Sequence, residues 1–408
     1  MNYKFSTVLL IGILSFVGCQ QQVESKIPQG AFPIVYRSHL YIKGEADGVY
    51  GNYVFDTGAS NLYYDSTYFA DSSFSYSNIF KAKLPGVGAK AQSVVVVTDT
   101  VAFRFGDNVY RTSRVPVLQL KPILGDFADG ILGMEYFSNS VLEISYEEEY
   151  MCIYSSIDSI DLHDWSKIDL VKRDNRLYIP LEVAINDTTT VSGEFLLDFG
   201  SGQSVSLTSV VAKQYRLNDI TDSKVAYHTG YGGVGGESSR YDFFAPQLRV
   251  GPFSLDNVLI NYSNDTAGAM ASTKHLGLLG NDIYERFHVY IDFTNSHLYL
   301  KPNSRYNQPF EASRLGFTYV DRSQTLKAWV VTGLYALSPA QQSGLMVNDQ
   351  IMAVNGVTIA GMDYKQQQQF LQDIDIINLA VARDGNLIEL SFSLRPVLTA
   401  GNQGMARR

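Results

Sequence analysis

The chain has 408 residues, 45% of them hydrophobic and 12% aromatic, with a formal net charge of −9. That supply of apolar side chains supports a sizeable core. The acidic balance argues against a nucleic-acid partner and leaves no basic patch for anionic lipid.

Residues 1–18 read as a targeting segment, not as part of the fold. Lys4 supplies a positive start, and Val8-Leu9-Leu10-Ile11-Gly12-Ile13-Leu14 is an apolar run too short to span a bilayer comfortably. It ends in Phe16-Val17-Gly18-Cys19, which resembles a bacterial lipobox, although Leu is commoner than Phe at the first position. The resemblance implies cleavage before Cys19, lipidation of its thiol and firm membrane anchoring through acyl chains. An ordinary secretory signal with a chance cysteine, or an uncleaved anchor, is the alternative. The expected location is the bacterial cell envelope, lipid-anchored at the outer membrane and facing periplasm or medium. Residues 19–31 form a polar tether. Lipidation leaves Cys152 as the remaining thiol, so no intrachain disulfide is available. Its apolar setting, Met151-Cys152-Ile153, marks it as core and not as a nucleophile.

After the tether, the apolar strand Tyr53-Val54-Phe55 runs into Asp56-Thr57-Gly58-Ala59-Ser60. A carboxylate at the end of a buried strand, followed by a glycine turn, is held by backbone. Leu84 to Val97 reads as a hairpin with Pro85-Gly86-Val87-Gly88 at its tip, and no long stretch carries a helical period. Residues 156–175, charged and rich in Ser and Asp, form a connection. The pattern then returns as Phe195-Leu196-Leu197-Asp198-Phe199-Gly200-Ser201. Gly86-Val87-Gly88 matches Gly233-Val234-Gly235, within a glycine-rich segment from Ala226 to Tyr241 that reads as mobile. Ile131-Leu132-Gly133 matches Leu278-Leu279-Gly280, and the strands that follow align without a gap. Two copies of one unit therefore share three landmarks in the same order.

Those landmarks resemble the aspartic peptidases, the pepsin and retropepsin relatives, over about residues 32–301. The resemblance implies a two-lobed pepsin-like or retropepsin-like acid-protease β-barrel body. Catalytic Asp56 and Asp198 would be supported by Thr57, Gly58, Gly200 and Ser201. The flaps would be Gly86, Val87 and Gly88 in one lobe and Gly233, Val234 and Gly235 in the other. Two adjacent carboxyls cannot both ionise easily, so one carries a proton while the other activates water. No metal, cofactor or covalent intermediate is required. The six histidines show no HExxH or paired spacing, and no Gly-x-Ser-x-Gly elbow occurs.

Phe199 departs from the family pattern, which has Thr or Ser there. In the family the paired hydroxyls bond across the twofold; Thr57 can do its half and Phe199 cannot, which implies lost rigidity or another acceptor for Thr57, with packing of Phe199 into the core below the pair as the alternative. Ser201 sits where the family's hydroxyl supports the outer carboxylate oxygen. That implies that Asp198 is the more readily ionised of the two and that Asp56 carries the proton.

Beyond a linker at residues 302–313 the pattern changes. Leu315-Gly316-Phe317 opens a strand, and Leu326 to Val331 gives another. Ser338-Pro339 reads as an N-cap and first helical position, Asn355-Gly356 as a hairpin turn, and Asp363 as the cap of a helix to about Asp373. The series S-P-A-x-x-S-G-L-x-x-x-D-x-I-x-x-V-N-G resembles a bacterial PDZ domain over residues 314–396. That resemblance implies that Leu315, Gly316 and Phe317 offer amides to a peptide carboxylate beside an open strand edge.

The expected organisation is thus mainly β. It comprises signal peptide 1–18, tether 19–31, first lobe 32–155, inter-lobe connection 156–175, second lobe 176–301, linker 302–313, an α/β PDZ domain 314–396 and a tail 397–408. Two function classes follow. One is an extracytoplasmic endopeptidase taking polypeptide substrate, with peptide or C-terminal ligands at the PDZ domain. The other is a non-catalytic peptide-binding lipoprotein with a degenerate cleft.

Overall fold

The computed structural model describes residues 27–84, 92–232, 236–360, 362–372 and 374–400. The targeting segment with Cys19, the hairpin tip Gly86, Val87 and Gly88, its counterpart Gly233, Val234 and Gly235, and the chain beyond residue 400 lie outside them. Strand outweighs helix, 47% to 13%, so the architecture is mainly β. Among the described residues no helix is long and apolar enough to cross a membrane.

The sequence repeat is a structural repeat. In the first half, His39–Ala46 turns through Asp47-Gly48 into Val49–Phe55. Both turn residues have positive φ, 45° and 89°, the conformation that a tight two-residue hairpin needs and that Asp-Gly adopts at little cost. Gly130–Leu132 runs parallel to Val49–Phe55 and antiparallel to Leu62–Asp65. In the second half, Arg176–Ala184 pairs antiparallel with Thr190–Leu197. There Gly277–Leu279 runs parallel to Thr190–Leu197 and antiparallel to Val205–Leu207. Each bracing strand ends in glycine for a steric reason. A Cβ on Gly133 would lie 2.6 Å from the Asn61 nitrogen, and one on Gly280 2.3 Å from the Gln203 carbonyl oxygen.

The halves are joined by a six-stranded run. Phe32–Arg37, Tyr150–Tyr154 and Val141–Ser145 come from the first, and Phe287–Asp292 and His297–Pro302 from the second. The sixth strand, Ser166–Asp169, lies inside the expected connection, which is therefore partly sheet. Alternating side chains from these strands feed one core cluster shared by both halves. At the seam Glu143, 3% exposed, accepts the hydroxyls of Tyr150 (2.8 Å) and Tyr154 (2.5 Å) and lies 2.9 Å from His288 Nε2. Burial pushes the Glu143 carboxyl up, but those partners outweigh it and hold it below the ordinary range. Cys152 is buried in the same sheet, and burial raises its thiol pKa.

Residues 302–313 are docked, not free. The Arg286 guanidinium lies 3.6 Å from the Phe310 ring centre and donates to the Arg305 and Gln308 carbonyls. The C-terminal unit has its own core around Trp329, Ile351 and Val381. Ser338 caps Pro339–Gln342, and Asp363 Oδ1 accepts the Gln366 amide at the start of Tyr364–Gln372. The strand expected at Leu326 to Val331 runs instead from Ala328 to Tyr335.

That strand is shared with the rest of the molecule. Lys224–Thr229, the first limb of the glycine-rich segment, pairs antiparallel with it, Tyr227 opposite Tyr335 and Thr229 opposite Gly333. The second limb, Ser238–Val250, pairs back onto the first from Thr229↔Ser238. A segment that reads as mobile in the sequence is thus, in both described limbs, sheet. Side chains lock the join: Tyr335 Oη donates to Asp242 (2.9 Å), itself held by Arg240 (2.7 Å). The first half also meets the C-terminal unit, through buried Asp126 and Arg322, 2.7 Å apart.

Candidate active site

Each Asp-X-Gly turn is positioned by the strand that brings it and by the strand that braces it. The Asp56 amide donates to the Leu132 carbonyl, and the Asp198 amide donates to the Leu279 carbonyl, both at 3.0 Å. Equivalent turns on equivalent scaffolds face each other, and the two carboxyls meet between them: a Cβ built on Gly58 would lie 3.1 Å from Asp56 Oδ1 and 3.0 Å from Asp198 Oδ1. The approach is close enough to demand glycine: a Cβ on Gly200 would lie 2.3 Å from the Asp56 carboxyl carbon. Both aspartates are half-buried.

Thr57, fully buried, crosses between the halves. Its hydroxyl donates to the Leu197 carbonyl (2.5 Å) and accepts the Phe199 amide (3.0 Å). Phe199 is fully buried below the pair, between Phe55 (5.4 Å between ring centres) and Tyr284 (4.1 Å). Stacking replaces the missing hydroxyl on that side.

The surroundings of the carboxyls reverse one expectation. Ser201 Oγ accepts the Gln203 amide (3.3 Å) instead of supporting Asp198, and the Ser201 amide goes to the Asp198 carbonyl (3.2 Å). Asp56 Oδ1 accepts two amides, Gly58 (2.7 Å) and Ala59 (3.1 Å), whereas Asp198 Oδ1 accepts Gly200 (3.0 Å). Burial raises the Asp56 pKa, and those amides offset it. Burial and then the Asp56 charge drive Asp198 well above the ordinary range. Two amides on Asp56 against one on Asp198 favour the charge on Asp56 and the proton on Asp198.

Two residues at the site carry no signal in the sequence. Asn281 donates to the Phe199 (2.7 Å) and Ser201 (3.0 Å) carbonyls while accepting Tyr146 Oη (2.6 Å). Its counterpart in the first repeat is Met134, so self-similarity does not point to it. Arg176 lies near enough for its charge to favour the ionised form of both aspartates. Continuing the Tyr178↔Leu196 register puts it opposite Asp198. Among the described residues no group of three or more His, Cys, Asp or Glu gathers as a metal site.

The flap residues lie outside the described residues. The strands that lead to the first tip, Ile79–Leu84 and Gln92–Val97, form the expected hairpin, with Leu84 opposite Gln92. In the C-terminal unit Leu315 is half-buried and Phe317 buried, and Gly316, at φ +74°, has its carbonyl held by the Tyr335 amide and the Ser338 hydroxyl, both at 3.0 Å.

Comparison of the chain with curated proteins finds no match. The PDZ-domain family profile matches residues 306–382, opening eight residues earlier than the Arg314 start and stopping short of the closing strand Asn386–Ser393. The chain therefore carries a PDZ domain, a peptide-binding module, on a mainly β body.

Proposed function

We propose that the body is a two-lobed, pepsin-like aspartic endopeptidase with Asp56 and Asp198 as its catalytic pair, working beside a PDZ domain that holds peptide. The observation that carries this reading is the close approach of the two carboxyls, presented by two equivalent turns. In the reaction Asp56, ionised, takes a proton from water as the water oxygen attacks the scissile carbonyl. Asp198 donates its proton to the carbonyl oxygen, giving a tetrahedral diol; as the C–N bond breaks, the proton gained by Asp56 goes to the leaving nitrogen and a hydroxyl of the diol returns a proton to Asp198. Thr57, Gly58 and Gly200 position the pair.

The test is cleavage of an unfolded protein between acid and neutral pH. Wild type is expected to cut it, and Asp56→Asn and Asp198→Asn each to lose the activity. Absence of cleavage by wild type at every pH would sink the enzyme. It would leave the second reading, a peptide-binding lipoprotein, which Phe199 in place of a hydroxyl favours. The lipobox-like Phe16-Val17-Gly18-Cys19 supports a lipid anchor in a bacterial envelope. Cys19→Ser is expected to move the protein from the membrane to the soluble fraction; unchanged membrane association would reject lipidation.

A further inference from the structure

A ligand of a PDZ domain adds as a strand to the edge that follows the carboxylate loop, with a helix as the opposite wall. Here that edge is Phe317–Arg322 and that helix Tyr364–Gln372. Val331 uses its amide on the Asp349 carbonyl (2.9 Å) and its carbonyl on the Asn348 amide (2.8 Å), and it is paired with Tyr319. Opposed strand residues that exchange no hydrogen bonds both point their main-chain groups outward. Tyr319 therefore turns its amide and carbonyl toward the groove, and so, two residues on, does Asp321.

At Asp321 the edge is taken. The Asp126 amide of the first half donates to the Asp321 carbonyl at 2.7 Å. Gly125, at φ +82°, is pressed so close that a Cβ there would lie 2.8 Å from the same oxygen. The Asp126 carboxylate accepts the Gln324 (3.1 Å) and Thr325 (2.8 Å) amides and the Arg322 guanidinium (2.7 Å). On the helix side of that end, Arg37 lies between Phe127 (3.7 Å) and Tyr364 (5.0 Å). Among the described residues no strand pairs with the outer edge of Phe317–Val320, and the edge is closed at Asp321, leaving about four residues at about 3.3 Å each.

We propose that the PDZ groove accepts only the last few residues of a polypeptide ending in a free carboxylate, because Gly125 and Asp126 stop it at Asp321. This rests on the reading of the domain as a C-terminus binder. Chain upstream of the bound end must turn away at Asp321, so an internal strand or hairpin cannot thread through.

Isothermal titration calorimetry on the full chain tests it. The probes are peptides of four, six and ten residues with identical last four residues, taken from a free-carboxylate pool ending in Val, Leu or Phe. The three lengths are expected to bind within about twofold of each other, and the amidated tetrapeptide about tenfold or more weaker. A tightening of more than about fivefold from four to ten residues would overturn the length limit while leaving the C-terminus reading intact. Equal binding of the amide, or no binding by any free-carboxylate peptide, would overturn that reading itself and the limit with it. Asp126→Pro, which removes the amide on the Asp321 carbonyl together with the carboxylate on Arg322, is expected to make affinity rise with length; unchanged length independence in a folded variant would reject Asp126 as the stop.

Discussion

The ring of Phe199 lies 4.1 Å from that of Tyr284, with the two planes 5° from parallel. The Tyr284 counterpart in the first repeat, Phe137, packs edge-on against Phe55 (5.2 Å). Both Asp turns thus rest on aromatic pairs, and a single hydroxyl, that of Thr57, crosses between them. Aromatic contacts of this kind contribute about 0.5–1.5 kcal/mol beyond their buried area.

Phe199→Ala is therefore expected to cost about 3–5 kcal/mol in urea unfolding. Phe199→Thr, which supplies a second hydroxyl, is also expected to destabilise, because threonine leaves much of the space between Phe55 and Tyr284 unfilled. A Phe199→Thr protein as stable as wild type would show that the ring is replaceable.

Asn281 ties the second turn to Tyr146 across the seam. Asn281→Leu leaves the Phe199 carbonyl and the Tyr146 hydroxyl without a partner, at about 1–3 kcal/mol each, while the Ser201 carbonyl keeps the main-chain amide of residue 281 (2.8 Å). Tyr146→Phe removes one bond, about 0.5–1.5 kcal/mol. A double-mutant cycle between them is expected to give a coupling above about 0.5 kcal/mol; strict additivity would contradict the network.

A carboxyl whose folded pKa is raised binds its proton more tightly when folded. Its contribution to stability is full below the unfolded pKa and is lost as pH rises through the folded one. Asp198, driven up by burial and by the Asp56 charge, is of this kind. Asp198→Asn is expected to be more stable than wild type at pH 7, with the difference shrinking toward about pH 4. Thermal unfolding across that range measures it, and a gap independent of pH would contradict the assignment. In carboxyl NMR titrations Asp198 is expected to lose its proton at higher pH than Asp56.

Removing the PDZ domain, with the chain ended after Pro302, strips Lys224–Thr229 of its strand partner and uncovers Tyr227. An exposed strand edge pairs readily with other chains. The shortened protein is expected to have a lower Tm and to self-associate in sedimentation velocity. A monomer as stable as the full chain would show the join to be dispensable.

What was legible in the sequence was what backbone geometry dictates. Asp56, Asp198, Gly133 and Gly280 stand where a strand end or a close main-chain approach tolerates few alternatives. Ser338 and Asp363 announce their helices because a cap needs a short polar side chain at one position. Contacts between distant residues that follow no period left no trace: Asn281 with the Phe199 carbonyl, Asp126 with Arg322, His288 with Glu143. Ser201 shows the opposite failure. Its position suggests a bond to Asp198, but the local turn offers the Gln203 amide first.

The pairing of Lys224–Thr229 with Ala328–Tyr335 has a consequence for biogenesis. Thr229 finds its acceptor in Thr332, 103 residues downstream. During synthesis at about 5–20 residues per second, the earlier limb must wait on the order of 5–20 s for its neighbour to be made. Through that interval an unsatisfied row of amides and carbonyls is open to any passing chain, so a holding chaperone has its natural target there.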